Sequence, residues 1–237
     1  MSRQTGILYL VPAPLGEGGL AALSGEALAV LPDLRFFIVE RVRTARRFIK
    51  SALPAANISE MRFYELDKHR PSNLPKGILE PLLQGEDMGL LSEAGCPGVA
   101  DPGAVVVREA HARGIRVKPL SGPSSLLLAL MASGLNGQNF AFHGYLPVKS
   151  DARRKKLRAL EREAQASGQT QLFIETPYRN AALFEDILRS LSPQTMLCVA
   201  LDLSLPSEEI YTRSIAQWQK SPLNFTEKRP AVFLVGV

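Results

Sequence analysis

The stretch Leu90–Gly103, LLSEAGCPGVADPG, decides the fold. A short apolar run, Met88–Leu91, leads into it, and an apolar-periodic segment, Ala104–Arg113, leads out. Between them stand Gly95, Gly98 and Gly103, with Pro97 and Pro102. Gly and Pro at that density mark a backbone that must follow a special path. The order strand, loop, helix puts this path at the carboxyl end of a parallel strand, where open α/β sheets bind their ligands. Ser92–Pro97 therefore reads as the wall of a small-molecule site. An ordinary strand–helix connection would account for Asp101 and Pro102, whose order suits an N-cap and a first helical residue. It would not account for Ser92–Pro97.

Outward from this loop the chain alternates strand and helix. On the amino-terminal side, strands are expected at Ile7–Val11, Phe36–Val39 and Met61–Leu66. Helices are expected at Leu20–Leu31, at Thr44–Leu53 (stopped by Pro54) and at Asn73–Gln84. The polar segment Asp67–Ser72 reads as a mobile loop. After the loop come the helix Ala104–Arg113, a C-cap at Gly114 and the strand Ile115–Pro119. Such alternation signs a mostly parallel sheet covered by helices. Leu120-Ser-Gly-Pro-Ser-Ser125 then breaks the chain, which suggests two α/β domains, 1–120 and 121–237. The second half offers helices at Leu126–Ala132, Ser150–Ala166, Arg179–Leu191 and Ile215–Gln219. Its strands are Asn139–Phe142, Gln171–Ile174, Met196–Leu201, Ile210–Arg213 and Ala231–Val235. The last strands follow one another with little helix between them, which predicts a mixed sheet.

Composition narrows the function. The 237 residues are 46% hydrophobic and 22% charged with a net charge of +5, and the mean hydropathy is +0.01. No apolar run approaches the ~20 residues that a membrane span needs. The first residues are too short an apolar segment for a signal peptide and enter a strand directly, so a cytoplasmic location is expected. Cys96 and Cys198 make neither a disulfide framework nor a metal spacing, and His69, His111 and His143 are scattered, so no metal site is expected. There is no Walker A pattern, Gly-x-Ser-x-Gly elbow, His-Glu-x-x-His or Cys-x-x-Cys, which argues against hydrolysis by triad or by zinc. Gly16-Glu-Gly-Gly-Leu-Ala21 fits a loose dinucleotide fingerprint, and Glu40 lies where a ribose-binding acid would. However, Pro12 and Pro14 separate the strand from the first glycine, whereas that fingerprint needs a tight turn directly off the strand.

LYLVPAPLG, FIVERVRTARRF, LLSEAGCPGVADPG, PLSGPSS, FHGYLPVKS and FIETPYR occur in this order along nearly the whole chain. Together they resemble the tetrapyrrole-methylase-like superfamily of S-adenosylmethionine methyltransferases. The closest branch resembles the ribosomal RNA small-subunit methyltransferase I family, which methylates a cytidine ribose 2′-oxygen. The resemblance implies S-adenosylmethionine in a cleft between two α/β domains, ribosomal RNA or the small ribosomal subunit as partner, and a homodimer. By position it implies cofactor contacts from Pro14 and Leu15, from Ser92, Glu93, Ala94, Gly95, Cys96 and Val99, and from Ser124 and Ser125. Small residues there let backbone groups reach the polar edges of such a ligand. Ser124 at a helix start offers a hydroxyl and free amides to a carboxylate, or serves as a plain N-cap.

A sugar hydroxyl is a poor nucleophile until its proton leaves, so a base helps. Glu40 is the carboxylate at the family position, and Arg43 would grip phosphate or orient Glu40. The pair reads equally as an ion pair at a strand–helix junction. The chain departs from the family at several polar positions. Glu40-Arg-Val-Arg43 replaces Glu-Asp-Thr-Arg, Ser92-Glu-Ala-Gly-Cys-Pro97 replaces Ser-Asp-Ala-Gly-Thr-Pro, and Leu201-Asp-Leu-Ser-Leu205 replaces Arg-Glu-Leu-Thr-Lys. Arg229-Pro230 stands for Gly-Glu. These losses keep open a small-molecule acceptor of tetrapyrrole type, or a catalytically silent binding protein on the same scaffold. Two basic stretches suit RNA phosphates: Arg43, Arg46, Arg47 and Lys50 on one helical face, and Arg153–Lys156 with Arg158 on the long helix.

Overall fold

The computed structural model describes residues 5–66, 74–225 and 228–237. They form two compact units, Met1–Ser124 and Ser125–Val237. The expected loop Asp67–Ser72, with His69, lies outside the described residues.

The first unit carries strands β1 (Ile7–Val11), β2 (Phe36–Val39), β3 (Arg62–Glu65), β4 (Met88–Leu91) and β5 (Arg116–Pro119). Its helices are α1 (Gly25–Val30), α2 (Val42–Ala52), α3 (Glu80–Leu83) and α4 (Ala104–Ala112). The sheet is wholly parallel in the order β3-β2-β4-β1-β5. Every residue of the central strand β4 is buried, as expected of a strand covered on both faces. Alternate side chains serve two cores. Phe37, Val39, Leu91 and Val11 pack with Ala27 of α1 and with Ala45 and Ile49 of α2. Ile38, Leu90 and Leu8 pack with Leu82 of α3 and with Val106 and Ala110 of α4.

This order creates a topological switch. The chain leaves β2 towards the edge strand β3, and leaves β4 in the opposite direction, past β1 to β5. The carboxyl ends of the neighbours β2 and β4 therefore diverge, and a crevice opens between their exits.

Three local expectations are corrected. The helix expected over Leu20–Leu31 is broken. A single turn, Gly19–Ala22, follows Gly18 in the left-handed region (φ 83°). Extended Ser24 then caps α1 by accepting the Ala27 amide at 3.2 Å. The helix expected over Asn73–Gln84 shrinks to α3, because Gly77 takes φ +76° and the preceding residues turn. Asp101 is not the N-cap of α4, and Pro102 is not its first residue. Gly103 holds the cap position, and the Asp101 carboxylate braces the loop itself.

The second unit contains α5 (Ser125–Ser133), β6 (Phe140–Tyr145), α6 (Ser150–Ser167), β7 (Thr170–Glu175) and α7 (Asn180–Ser190). It continues with β8 (Met196–Leu201), β9 (Glu209–Ser214), α8 (Ile215–Lys220) and β10 (Ala231–Gly236). Its sheet runs β6-β7-β10-β8-β9. Only the β6–β7 pair is parallel, so the sheet is mixed, as its helix-poor end predicts. Trp218 anchors the core. Its indole N–H donates to the Leu197 carbonyl at 2.9 Å, and Phe184 meets it edge-on at 5.4 Å. Among the described residues no helix is long and apolar enough to cross a membrane, and no cluster of His, Cys, Asp and Glu has the makings of a metal site.

Candidate active site

Three loops of the first unit meet at the carboxyl edge of its sheet. The loop after β1 and the loop after β4 are joined by a two-bond antiparallel bridge. Ala13 N–H donates to the Gly95 carbonyl at 2.9 Å, and Gly95 N–H donates to the Ala13 carbonyl at 3.0 Å. The third piece, after β5, closes against both. Leu120 N–H donates to the Leu10 carbonyl at 3.0 Å, and the Cys96 thiol donates to the Pro123 carbonyl at 3.5 Å. Gly122 lies so close to Pro12 that a Cβ there would sit 2.3 Å from the proline ring.

The Leu90–Gly103 loop also holds itself. The Ser92 hydroxyl donates to the carbonyls of Ala94 and Gly95, both at 3.1 Å. Asp101 Oδ1 accepts from Gly98 N–H at 2.6 Å and Gly103 N–H at 2.8 Å. Burial pushes the Asp101 carboxyl above its ordinary value, and the nearby Glu40 charge adds to this. The two backbone donors oppose it. Burial, with the Asp101 charge, also raises the Cys96 thiol, which favours the protonated form that donates to the Pro123 carbonyl.

Between the β1 loop, α2 and the β4 loop lies a cavity of about 290 Å³. Of the residues named from sequence, Pro14, Leu15, Ser92, Glu93 and Ala94 line it. Gly95 and Cys96 are not in its lining but support it through the bridge and the Pro123 contact. Val99 is exposed, and Ser124 and Ser125 are partly buried, Ser124 closing the first unit and Ser125 opening α5. Sequence reasoning missed the far wall, where Thr44, Arg47, Phe48 and Ser51 of α2 face the cavity. The signal was present: these residues recur at helical spacing beside the buried stripe Ala45 and Ile49.

The exits of β2 and β4 are tied across the switch. Glu40, just after β2, accepts the Glu93 backbone N–H on Oε1 at 3.1 Å. The Glu93 carboxylate turns the other way, towards α2, where Oε1 meets the Thr44 hydroxyl and Arg41 Nε, each at 3.3 Å. The two substituted positions Arg41 and Glu93 thus pair with each other. No ion pair joins Glu40 to Arg43. Arg43 is exposed and, among the described residues, has no hydrogen-bond or ionic partner.

The two basic stretches differ. On α6, Arg153 is buried, and its guanidinium binds Asp186 Oδ2 through Nε at 2.8 Å and Nη2 at 2.5 Å. Arg154 pairs with Asp151 at 2.6 Å. The α2 cations stay outside. At the end of the second sheet, Arg229 pairs with Asp202 at 2.5 Å and with Glu209 at 2.8 Å. Here too a substituted position, Arg229, is matched by carboxylates on neighbouring segments.

Residues 8–219 match the family described as Tetrapyrrole (Corrin/Porphyrin) Methylases. The chain is 33% identical, over 98% of its length and 81% of the relative's, to the Ribosomal RNA small subunit methyltransferase I of Xylella fastidiosa. It is 32% identical to the protein of the same name from Escherichia coli O157:H7, over 92% of its length and 74% of the relative's. Among solved structures, uroporphyrin III C-methyl transferase from Thermus thermophilus superposes with a TM-score of 0.61 at 18% identity, covering 98% of this chain and 97% of that one. A diphthine synthase reaches 0.68 at 13% identity, covering 98% and 90%. These two likenesses concern the fold.

Proposed function

The chain belongs to the tetrapyrrole (corrin/porphyrin) methylase family, and we propose that it is an S-adenosylmethionine-dependent methyltransferase that methylates a ribose 2′-oxygen in small-subunit ribosomal RNA. The relatives that share about a third of its residues, along nearly its whole length, carry the name of that activity. This observation carries the reading, and the geometry of the first unit agrees with it.

The residues present fit the cofactor. The cavity wall offers apolar surface from Leu15, Leu20 and Phe48 for an adenine, and hydroxyls from Thr44, Ser51 and Ser92 for polar edges. Gly16, Gly18, Gly19 and Ala94 leave backbone groups within reach. We assign contacts to Pro14 and Leu15 from the first loop, and to Ser92, Glu93 and Ala94 from the second. Gly95, Cys96 and Val99 contribute through the shape of the loop, and Ser124 offers a hydroxyl where the first unit ends. When bound, S-adenosylmethionine supplies an electrophilic methyl group on a positive sulfur.

The chain's own part is to position and to move one proton. Glu40 would accept the proton of the ribose 2′-hydroxyl, readying that oxygen for the methyl group that bound S-adenosylmethionine would supply. The Glu93 amide fixes one carboxylate oxygen of Glu40 for this task. Pulling the Glu93 carboxylate aside to Arg41 and Thr44 keeps a second negative group from competing for the proton. Arg43 binds a phosphate flanking the reacting sugar. In this reading the protein works in the cytoplasm as a homodimer. Transfer of labelled methyl from S-adenosylmethionine to small ribosomal subunits tests the proposal, and absence of label from the RNA would end it.

A further inference from the structure

Helix α2 has the sequence VRTARRFIKSA, which contains four cations and no acid. Its buried stripe, Ala45 and Ile49, holds it against the first core. Arg43, Arg46, Arg47 and Lys50 are all exposed. They stand three or four residues apart, so each has like-charged neighbours on the helix surface, an arrangement that costs helix stability. Arg43 also stands in the first turn, where the helix dipole disfavours a cation. No acid within the helix offsets this; the Glu65 carboxylate, from β3, accepts only the Val42 amide at the helix start, at 2.9 Å. Arg43 and Arg46 have no hydrogen-bond or ionic partner among the described residues. Among the described residues Arg47 approaches only Glu17, at 3.9 Å, and that side chain is 93% exposed. Lys50 donates to the carbonyls of Pro54 and Ala56 at 2.6 and 3.3 Å, neither of which carries a negative charge. The other basic helix lacks this character, since α6 carries Asp151, Glu161 and Glu163 and spends Arg153 on Asp186.

The same helix lines the cavity through Thr44, Arg47 and Ser51. A chain of phosphates laid along its outer face therefore passes the cavity mouth. We propose that the exposed face of α2, Arg43-Arg46-Arg47-Lys50, is the track that holds the RNA backbone while one sugar is presented at the mouth of the cofactor cavity beside it. This rests on the ribosomal RNA reading and gives that reading a docking surface.

The test is the salt dependence of binding to small ribosomal subunits and to a single-stranded uridine oligonucleotide. It compares the native chain, Arg46→Gln/Lys50→Gln, and Lys155→Gln/Lys156→Gln on α6. Each lost phosphate contact flattens the plot of log affinity against log salt by about 0.7 on single strands. The α2 double variant is expected to flatten it by about 1.4, to raise KM for the subunit and to keep kcat, while the α6 variant follows the native line. An α2 variant with the native slope, or an α6 variant that loses as much, overturns the track. If subunits are methylated but the slope does not change, the track fails and the ribosomal reading stands. If subunits are not methylated and the oligonucleotide slope still falls only for the α2 variant, the track stands without that substrate.

Discussion

Ala13 and Gly95 exchange two backbone hydrogen bonds, at 2.9 and 3.0 Å, across the carboxyl edge of the parallel sheet. Two loops some eighty residues apart in sequence are thereby fixed as one piece, and the third is locked to them where Gly122 presses on Pro12. Each position has little tolerance. Gly95 takes φ +72°, and a Cβ there would meet Leu15 Cδ2 at 3.3 Å.

Gly122→Ala is therefore expected to destabilise the fold by about 1–3 kcal/mol through overpacking. Gly95→Ala is expected to cost about 1–2 kcal/mol for its left-handed backbone. Both variants should also weaken S-adenosylmethionine binding, because the cavity wall shifts. Urea unfolding and calorimetric titration measure the two effects separately.

Glu40→Gln retains an oxygen able to accept the Glu93 amide, so the tie between the exits of β2 and β4 is expected to persist. Loss of the base should lower kcat by about a hundred- to ten-thousand-fold. Single-turnover methyl transfer under saturating cofactor and RNA reads the change. A rate within a few-fold of native would remove Glu40 from the chemistry.

Asp101 gives a prediction with a defined sign. Its carboxyl is raised above the ordinary range, burial being the largest cause. The folded protein thus holds this proton more tightly than the unfolded chain, and stability falls as pH rises through the window between the two values. Asp101→Asn keeps an acceptor for Gly98 and Gly103 and is expected to flatten this dependence. Asp101→Ala loses both hydrogen bonds and should cost about 1–3 kcal/mol. Urea midpoints from pH 4 to 7 distinguish the two variants.

Glu209 behaves in the opposite sense. The Arg229 hydrogen bond, with help from Tyr211, holds its carboxyl below the ordinary value. Any stability it contributes is present above the unfolded range and is lost as pH falls through the depressed value. An NMR titration is expected to show Glu209 moving back towards the ordinary carboxylate range in Arg229→Ala.

How far the sequence was legible depends on how local each signal was. β1, β2, β4 and β8 are continuous apolar runs, and they begin and end where the pattern predicts. The meeting of the three loops was implied by a resemblance, not by spacing, because nothing local tells Ala13 that Gly95 lies opposite. Asp101 misled for a related reason. The order Asp-Pro before a helix fits a cap, but the carboxylate is taken by Gly98, a partner upstream in the loop. Arg153 was read with its exposed neighbours, yet the helix turns it inward to Asp186, 33 residues away. Arg41 reads as a lost acid and Glu93 as a longer acid in place of Asp, and only the fold shows that the two departures meet.

The measurement that bears most directly on this account is the position of the transferred methyl. Small ribosomal subunits from cells lacking this chain are incubated with the purified protein and labelled S-adenosylmethionine, and the RNA is mapped nucleotide by nucleotide. The account predicts label on the ribose 2′-oxygen of a single cytidine, lost with Glu40→Gln. Label on a base, on protein or on a small molecule, with none on ribose, would contradict it.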